Sequence, residues 1–460
     1  MSSKPIEVDA AIVGSGQAAP ALAVALAKRG ERVALIEGDQ LGGCCVNVGC
    51  TPTKTLRKSA RVAHLARRAA EFGVLVGKVE VDFAAAMNRM QERVDAARGG
   101  LESWLAGERN VTVLRAWASF AGRSADGFDL MAGAQSVHAR RVYLNTGTRA
   151  AIPPIPGLEG VPYLDNVSLL ALRSRPAHLI VIGGSYIGLE MGQIFRRLGS
   201  EVTVVEPGPR VASREDPEVS ASIASFLGEE GVTVLTGEPV ARVERSTQGV
   251  VVQLASRRVE GSHLLMATGR LPNTERLNLA AVGVEKDARG FVPTNGRLET
   301  NVPGIWALGD INKRGAFTHT SYHDHEIVLA NHDGGTRSAD DRVMAYAMFT
   351  DPPLGRVGLS ETEARASGRR ILMAQFKMKD VSRAKEESET HGLVKLLVDA
   401  DTERFVGASI LGINGDEIIQ VISNFMAAGA SWHAMKEALP IHPTVAEFLP
   451  TILGKLKPLA

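Results

Sequence analysis

Two cysteines with four residues between them, Cys45 and Cys50, lie in the run Gly42-Gly43-Cys44-Cys45-Val46-Asn47-Val48-Gly49-Cys50-Thr51-Pro52-Thr53-Lys54. Thiols this close in sequence can close a small-loop disulfide and reopen it by thiol–disulfide exchange, a two-electron couple. All three cysteines of the chain fall between Cys44 and Cys50. Such clustering is not the framework of a secreted, disulfide-stapled domain; in a reducing compartment it reads as catalytic or metal-binding. Two plainer readings stay open here: a pair of buried free thiols, or half of a zinc site. No cysteine outside the cluster completes a four-ligand set. Cys44 is either an inert small filler or a third thiol able to trap soft metal or scramble the disulfide.

A redox pair needs an electron donor, and the chain carries two candidate dinucleotide sites. Val8–Gly30 reads as strand, tight turn and helix, with the turn Gly14-Ser15-Gly16-Gln17-Ala18-Ala19. Gly14 and Gly16 let the backbone turn sharply and approach a pyrophosphate, which then sits on the amides of a helix N-terminus. A second strand ends at Glu37, roughly 20 residues on, where a carboxylate takes ribose hydroxyls. The pattern recurs. Leu179–Ile182 leads into Gly183-Gly184-Ser185-Tyr186-Ile187-Gly188 and a helix carrying Glu190, and the next strand closes on Glu206. Ser185 stands where the middle glycine is usual, a small residue that a slightly wider turn accepts. Two such units imply two dinucleotides, most simply a flavin and a nicotinamide. Glu206 favours NADH over NADPH because a carboxylate repels the 2′-phosphate, while Arg210 and Arg214 nearby soften that preference.

These elements need a larger frame. Tyr143-Leu-Asn-Thr146-Gly147, followed by Ile152-Pro-Pro-Ile-Pro-Gly157, predicts a strand leaving the first domain through a stiff Pro-rich link. Met266-Ala-Thr-Gly269 closes the second unit similarly, and Ile305-Trp-Ala-Leu-Gly309-Asp310 is a buried strand presenting a carboxylate to a polar cofactor chain. From about Met344 the pattern changes to alternating strands with helices behind them. The expected division is 1–150, a dinucleotide-binding segment with the thiols; 151–270, a second dinucleotide domain; 271–343, a return to the first; and 344–460, an α+β domain. At 460 residues, 45% hydrophobic and with net charge +1, the chain reads as a soluble multi-domain enzyme. That balance argues against nucleic acid as main partner. No apolar run approaches the ~20 residues of a membrane span. The N-terminal residues enter a strand at once, leaving no room for a secretory signal and pointing to the cytoplasm.

The thiol run, the two dinucleotide patterns, Gly309-Asp310 and His442-Pro443-Thr444-Val-Ala-Glu447 occur in one order across nearly the whole chain. Together they resemble the pyridine nucleotide–disulfide oxidoreductases: dihydrolipoamide dehydrogenase, glutathione reductase and mercuric reductase. The resemblance implies an α/β fold with two Rossmann-like dinucleotide-binding domains, one for FAD and one for NAD(P), plus a C-terminal α+β dimerisation domain. It implies a homodimer whose active site takes His442 from the partner subunit. FAD would be held by Gly14, Gly16, Glu37, Gly43, Lys54, Thr146, Gly147 and Asp310, and the nicotinamide nucleotide by Gly183, Tyr186, Gly188, Glu206 and Gly269. Asn145-Thr-Gly, Ala316–Tyr322 and the segment from His442 look most like the mercuric reductase-like branch, with reductases of metal or reactive-chlorine stress nearby.

What the resemblance implies for roles follows residue by residue. Hydride passes from nicotinamide to flavin, and the electrons then reduce the Cys45–Cys50 disulfide. Cys50 faces the flavin as a charge-transfer thiolate, and Cys45 exchanges with substrate. His442 is the base that the thiol needs and Glu447 orients it. Lys54 stabilises reduced flavin, Glu190 pairs with Lys54, and the Tyr186 ring covers an empty nicotinamide pocket. Plainer readings are a helix cap at His442-Pro443, surface charges at Glu190 and Lys54, and core packing at Tyr186. His319, His323 and His325 invite a metal reading, with only the first two on one helical face. The alternative is a helix N-terminus beside the flavin. Mercuric reductases carry a vicinal cysteine pair near the C-terminus, and Leu449–Ala460 has none. Acceptors expected are therefore a soft metal ion or its thiol complex, or else a disulfide of the lipoamide or glutathione type, for which Arg57 is a candidate carboxylate-binding residue.

Overall fold

A computed structural model describes residues 4–459. Met1–Ser3, part of the stretch read for a leader, lie outside the described residues. The chain forms two compact units. One comprises the residues up to Leu56, Ala84–Ala151 and Gly269–Arg342; the other comprises Arg57–Phe83, Ile152–Thr268 and the residues from Val343.

The first unit is built on a seven-stranded sheet. Strand Ile6–Val13 has parallel neighbours on both sides, Val33–Glu37 and Gln135–Leu144, and Ile305–Ala307 continues the sheet beyond the latter. Along Ile6–Val13 the buried side chains alternate between two cores: Ala10 and Ile12 pack with Leu22, Leu26 and Tyr143, and Ala11 and Val13 pack with Ile36, Val142 and Ala307. A strand buried on both faces reads as a nearly continuous apolar run, as parallel sheets require. The register then does the positioning. Val13 lies opposite Ile36 and Leu144, and Leu144 opposite Ala307. The carboxyl ends of four strands therefore finish side by side and bring Gly14, Glu37, Asn145 and Gly309 to one edge. In doubly wound sheets ligands bind outside that edge, where the strand order reverses.

The second unit contains a four-stranded parallel sheet, ordered Val232–Thr236, Glu201–Glu206, His178–Ile182 and His263–Met266. It also holds a three-stranded antiparallel sheet and a six-stranded one around Leu393–Asp399 and Phe405–Leu411. Ile182 pairs with Val205 and Met266, so Gly183 and Glu206 follow on adjacent strands. A buried charge network ties the helix Tyr186–Arg197 to residue 351. Arg197 Nε meets Glu230 at 2.7 Å, its Nη1 pairs with the Asp351 carboxylate, and Gln193 exchanges two hydrogen bonds with the Asp351 backbone at 2.7 and 2.8 Å. Burial pushes the Asp351 carboxyl up, but the Arg197 and Arg61 guanidiniums hold it well below the usual carboxylate range. Removing one partner from a buried pair of this kind costs about 3–5 kcal/mol. Arg57 belongs to the same network: its Nη2 donates to the Thr350 carbonyl at 2.8 Å and lies 3.6 Å from Asp351. Its guanidinium is thus engaged within the fold rather than free for a substrate carboxylate.

Candidate active site

The thiols sit where two helices begin. Gly42 and Gly43 both take positive φ, +96° and +59°, and open the short helix Gly43–Val48 that carries Cys44 and Cys45. Cys50 opens the 18-residue helix Cys50–Arg67, and its sulfur lies 3.2 Å from the hydroxyl of Thr318, first residue of the helix Thr318–His332. Unpaired amides at a helix N-terminus carry partial positive charge that favours a thiolate by about 0.3–1 kcal/mol. All three sulfurs are unbridged. The Cys45 thiol is raised far above its ordinary range, first by its hydrogen bond with Cys50 and then by burial.

The third thiol is Cys44. It is accessible to solvent yet lies in a crowded recess, and the crowding raises its thiol although the Arg270 guanidinium opposes that at 3.6 Å. Among the described residues the one set of three metal-ligating groups within mutual reach is Asp216, Glu218 and Glu361, so the three sulfurs do not form a ready three-thiol trap. The acidic set is filled by the chain itself. The buried Lys395 ammonium sits among the carboxylates, 3.0 Å from Asp216 and 2.6 Å from Glu361. His319, His323 and His325 do not converge either. His323 is bonded to Arg337 and Arg342 at 2.9 and 3.2 Å, His319 stacks on Phe317, and His325 bonds the Tyr322 carbonyl. Burial, reinforced by the two arginines, lowers the His323 pKa.

Around the edge of the first sheet the residues fit a flavin dinucleotide. Gly14 has φ +89°, and a Cβ there would lie 2.5 Å from the Asn145 carbonyl oxygen. A Cβ at Gly16 would meet Asn145 Oδ1 at the same distance, and that buried oxygen has no hydrogen-bond partner. The helix Ala19–Lys28 begins directly after this turn and without a side-chain cap. Glu37 accepts from Ser15 N at 2.8 Å and Ser15 Oγ at 2.6 Å, which pins the carboxylate against the turn with lone pairs to spare for a ribose. Thr146 and Asn273 exchange side-chain to backbone bonds at 2.9 Å each, clamping the loop that contains Gly147 (φ +64°). Asp310 accepts from Thr148 Oγ1 at 2.8 Å, and Arg270 Nε donates to that hydroxyl at 2.6 Å. Gly269, with φ +126°, leads into this same stretch.

The second motif is built alike. Gly183 has φ +111°, and a Cβ at Gly188 would lie 2.0 Å from the Gly183 carbonyl, so helix and strand meet through bare backbone. Glu206 accepts from Gly184 N at 2.7 Å and Gly208 N at 2.8 Å. Arg210 Nε is buried beside this turn with no partner, a donor suited to a nucleotide oxygen. Glu190 is buried and accepts the Phe349 amide at 2.8 Å, which overturns the surface-charge reading of that residue. Tyr186 bonds Glu215, a contact no local pattern announces.

At the C-terminal end, His442 Nδ1 lies 2.9 Å from a Glu447 carboxylate oxygen. Thr444 Oγ1 donates to the Ile441 carbonyl and receives the Glu447 amide, so a tight turn sets that distance. The imidazole is 77% exposed while the carboxylate is 13% exposed, leaving Nε2 presented outward.

The comparisons with known proteins agree with this geometry. Residues 8–324 match the pyridine nucleotide-disulphide oxidoreductase family and residues 344–452 its dimerisation domain. A probable pyridine nucleotide-disulfide oxidoreductase, RclA of Escherichia coli, is 34% identical over 97% of this chain and 99% of its own length. Mercuric reductase of Lysinibacillus sphaericus is 33% identical over 96% of this chain and 81% of its own, and dihydrolipoyl dehydrogenase of Cupriavidus necator is 30% identical over 96% of each. The solved structure of the RclA flavoprotein disulfide reductase in complex with Cu(II) superposes with a TM-score of 0.89 at 33% identity, covering 98% of this chain and all of that one. The chain belongs to the class I pyridine nucleotide–disulfide oxidoreductases, which are flavin-dependent enzymes using a pyridine nucleotide. Among the described residues no helix is long and apolar enough to cross a membrane.

Proposed function

We propose that this enzyme takes electrons from NAD(P)H and delivers them through Cys45 and Cys50 to a soft, thiophilic metal ion or its thiol complex. FAD, when bound, supplies two-electron exchange between nicotinamide and thiols. Gly14, Gly16, Glu37, Gly43, Lys54, Thr146, Gly147 and Asp310 hold it, and Gly183, Tyr186, Gly188, Glu206 and Gly269 serve the nicotinamide nucleotide. The observation that carries the reading is the reachable pair of unbridged thiols, with Cys50 exposed at the first turn of its helix and 3.2 Å from the Thr318 hydroxyl. Thiolates select soft cations. Re-forming the Cys45–Cys50 bond releases two electrons and two protons, enough for one Hg(II) to the metal or two Cu(II) to Cu(I). The relatives, mercuric reductases and a copper-complexed reductase, lie in the same chemical range. Glu206 tilts the nucleotide preference to NADH. Lys54, on the helix that Cys50 opens, stabilises charge on the reduced flavin. Leu439 and Ile441, 95% and 78% exposed beside His442, suit a subunit interface at which His442 and Glu447 complete the partner's site.

A second reading, disulfide reduction, is favoured by the His442–Glu447 pair, since a leaving thiolate needs a proton donor. Anaerobic NAD(P)H oxidation with Hg(II)–thiol complex, Cu(II), lipoamide and oxidised glutathione compared side by side separates the two. A metal acceptor is expected to outpace either disulfide by at least about tenfold in kcat/KM. Fast turnover with one disulfide, and stalling by mercury, would overturn the metal reading.

A further inference from the structure

In the second unit the Tyr186 hydroxyl belongs to a cluster with Glu215, Tyr346 and Arg356. Tyr186, first residue of its helix, donates its hydroxyl to Glu215 Oε1 at 2.5 Å. Tyr346 donates to the same oxygen at 2.9 Å, and the two rings lie 5.8 Å apart. Glu215 is 2% exposed; its other oxygen is 3.4 Å from Arg356 Nη1, which also reaches Ser409 Oγ at 3.1 Å. Simple packing of the Tyr186 ring needs none of this, because an apolar neighbour would fill the space without burying a charge.

We propose that Glu215, backed by Tyr346 and Arg356, is a latch that holds the Tyr186 ring closed and so sets how readily the nicotinamide end of the nucleotide is admitted. The inference rests on the reading of Tyr186 as the cover of the nicotinamide position. A ring that swings away surrenders a charge-assisted hydrogen bond, the strong kind. Tyr346 and Arg356 stay behind and keep the buried carboxylate paired, so the open state remains accessible. The cost falls on the nicotinamide half of the ligand, because the ADP-ribose half can dock on the Gly183–Gly188 turn with the ring in place. Apparent affinity for the whole nucleotide is then lowered by the fraction of molecules that are open. Glu215 and Tyr346 are positioning residues in this scheme.

The test is equilibrium binding of NAD+ and of ADP-ribose to the FAD-loaded protein, read as the ratio of the two affinities. Tyr186→Phe keeps the ring and removes the hydroxyl; it is expected to raise the NAD+ to ADP-ribose ratio by about tenfold. Glu215→Gln should raise it similarly, and the double variant no further, as one shared interaction demands. Tyr346→Phe is the mildest change and should move the ratio the other way. It strips the open state of the phenol that keeps Glu215 paired, so the ring closes more firmly. An unchanged ratio in Tyr186→Phe, or a shift of the same sign in Tyr346→Phe, would overturn the latch. Tyr186→Ala removes the ring itself. If the ratio rises there but not in Tyr186→Phe, only the latch fails; if it does not rise even there, the reading of Tyr186 as the pocket cover fails with it.

Discussion

Cys45→Ser is expected to lower NAD(P)H-driven turnover with thiophilic metals and disulfides alike by at least about a thousandfold, with flavin content unchanged. The size follows from the division of labour in the thiol pair. The Cys50 sulfur lies beside the Thr318 hydroxyl at the start of one long helix and itself opens another. Cys45, on the preceding short helix, is the group that must bond the acceptor. A serine at position 45 can neither form a disulfide nor hold a soft cation, so no slower version of the route survives. Cys50→Ser should be equally damaging, for it removes the other half of the same bond. Cys44→Ser is the informative contrast and should stay within about fivefold of the parent. That thiol lies 3.6 Å from the Arg270 guanidinium, and the three sulfurs are not gathered for a common ligand. Anaerobic steady-state rates of the three variants against the same acceptors measure this. A Cys44 variant as inactive as Cys45→Ser would show that the third thiol is part of the route.

His442→Gln is expected to split the acceptors. Disulfide reduction ends with a thiolate that must be protonated as it leaves, and a positioned general acid contributes roughly 10²–10⁴-fold to such a step. The Glu447 carboxylate, 2.9 Å from Nδ1, fixes the tautomer and leaves Nε2 to carry that proton. Transfer of a thiol-held metal ion also releases thiolate, but by ligand exchange at the soft metal and without cleavage of an S–S bond, a step with far less need of a positioned acid. Turnover with lipoamide or oxidised glutathione should therefore fall about a hundredfold in His442→Gln, while turnover with Hg(II)–thiol complex or Cu(II) should fall less than about fivefold. Glu447→Gln should follow the same split at smaller amplitude, because it disorders the imidazole without removing it. Equal losses on both acceptor classes would assign His442 a role in thiol activation rather than in protonation of the leaving group.

What the sequence disclosed and what it concealed divide by distance along the chain. Gly14, Gly16 and Glu37 belong to one strand–turn–helix–strand unit, and the carboxylate finds Ser15 only 22 residues away. The His442–Glu447 contact spans five residues of one turn. Both were legible because local geometry alone makes them. Thr318 reaches Cys50 across 268 residues, and Arg270 reaches Cys44 across 226. Those contacts come from the parallel register that lines up the strand ends, which no spacing reveals. Gly147 and Gly269 stand out in the sequence as ends of their motifs, yet nothing there announces the Arg270–Thr148–Asp310 chain that joins the residues after them. Tyr186 drew attention by its place after the glycines, but Glu215 and Tyr346, the latter 131 residues beyond Glu215, carried no signal. His319 and His323 have the spacing of one helical face, but Arg337 and Arg342 bond His323, so the alternative metal reading gains no support from the fold.

The proposed chemistry turns on one bond, that between Cys45 and Cys50, opening and closing under control of NAD(P)H. Disulfide mapping of the FAD-loaded, air-oxidised protein by mass spectrometry, repeated after anaerobic addition of stoichiometric NADH, tests it directly. A Cys45–Cys50 cross-link that is present before NADH and gone after it, with Cys44 alkylated in both samples, is the predicted result. A cross-link that includes Cys44, or one that persists while the flavin is reduced, would contradict the account.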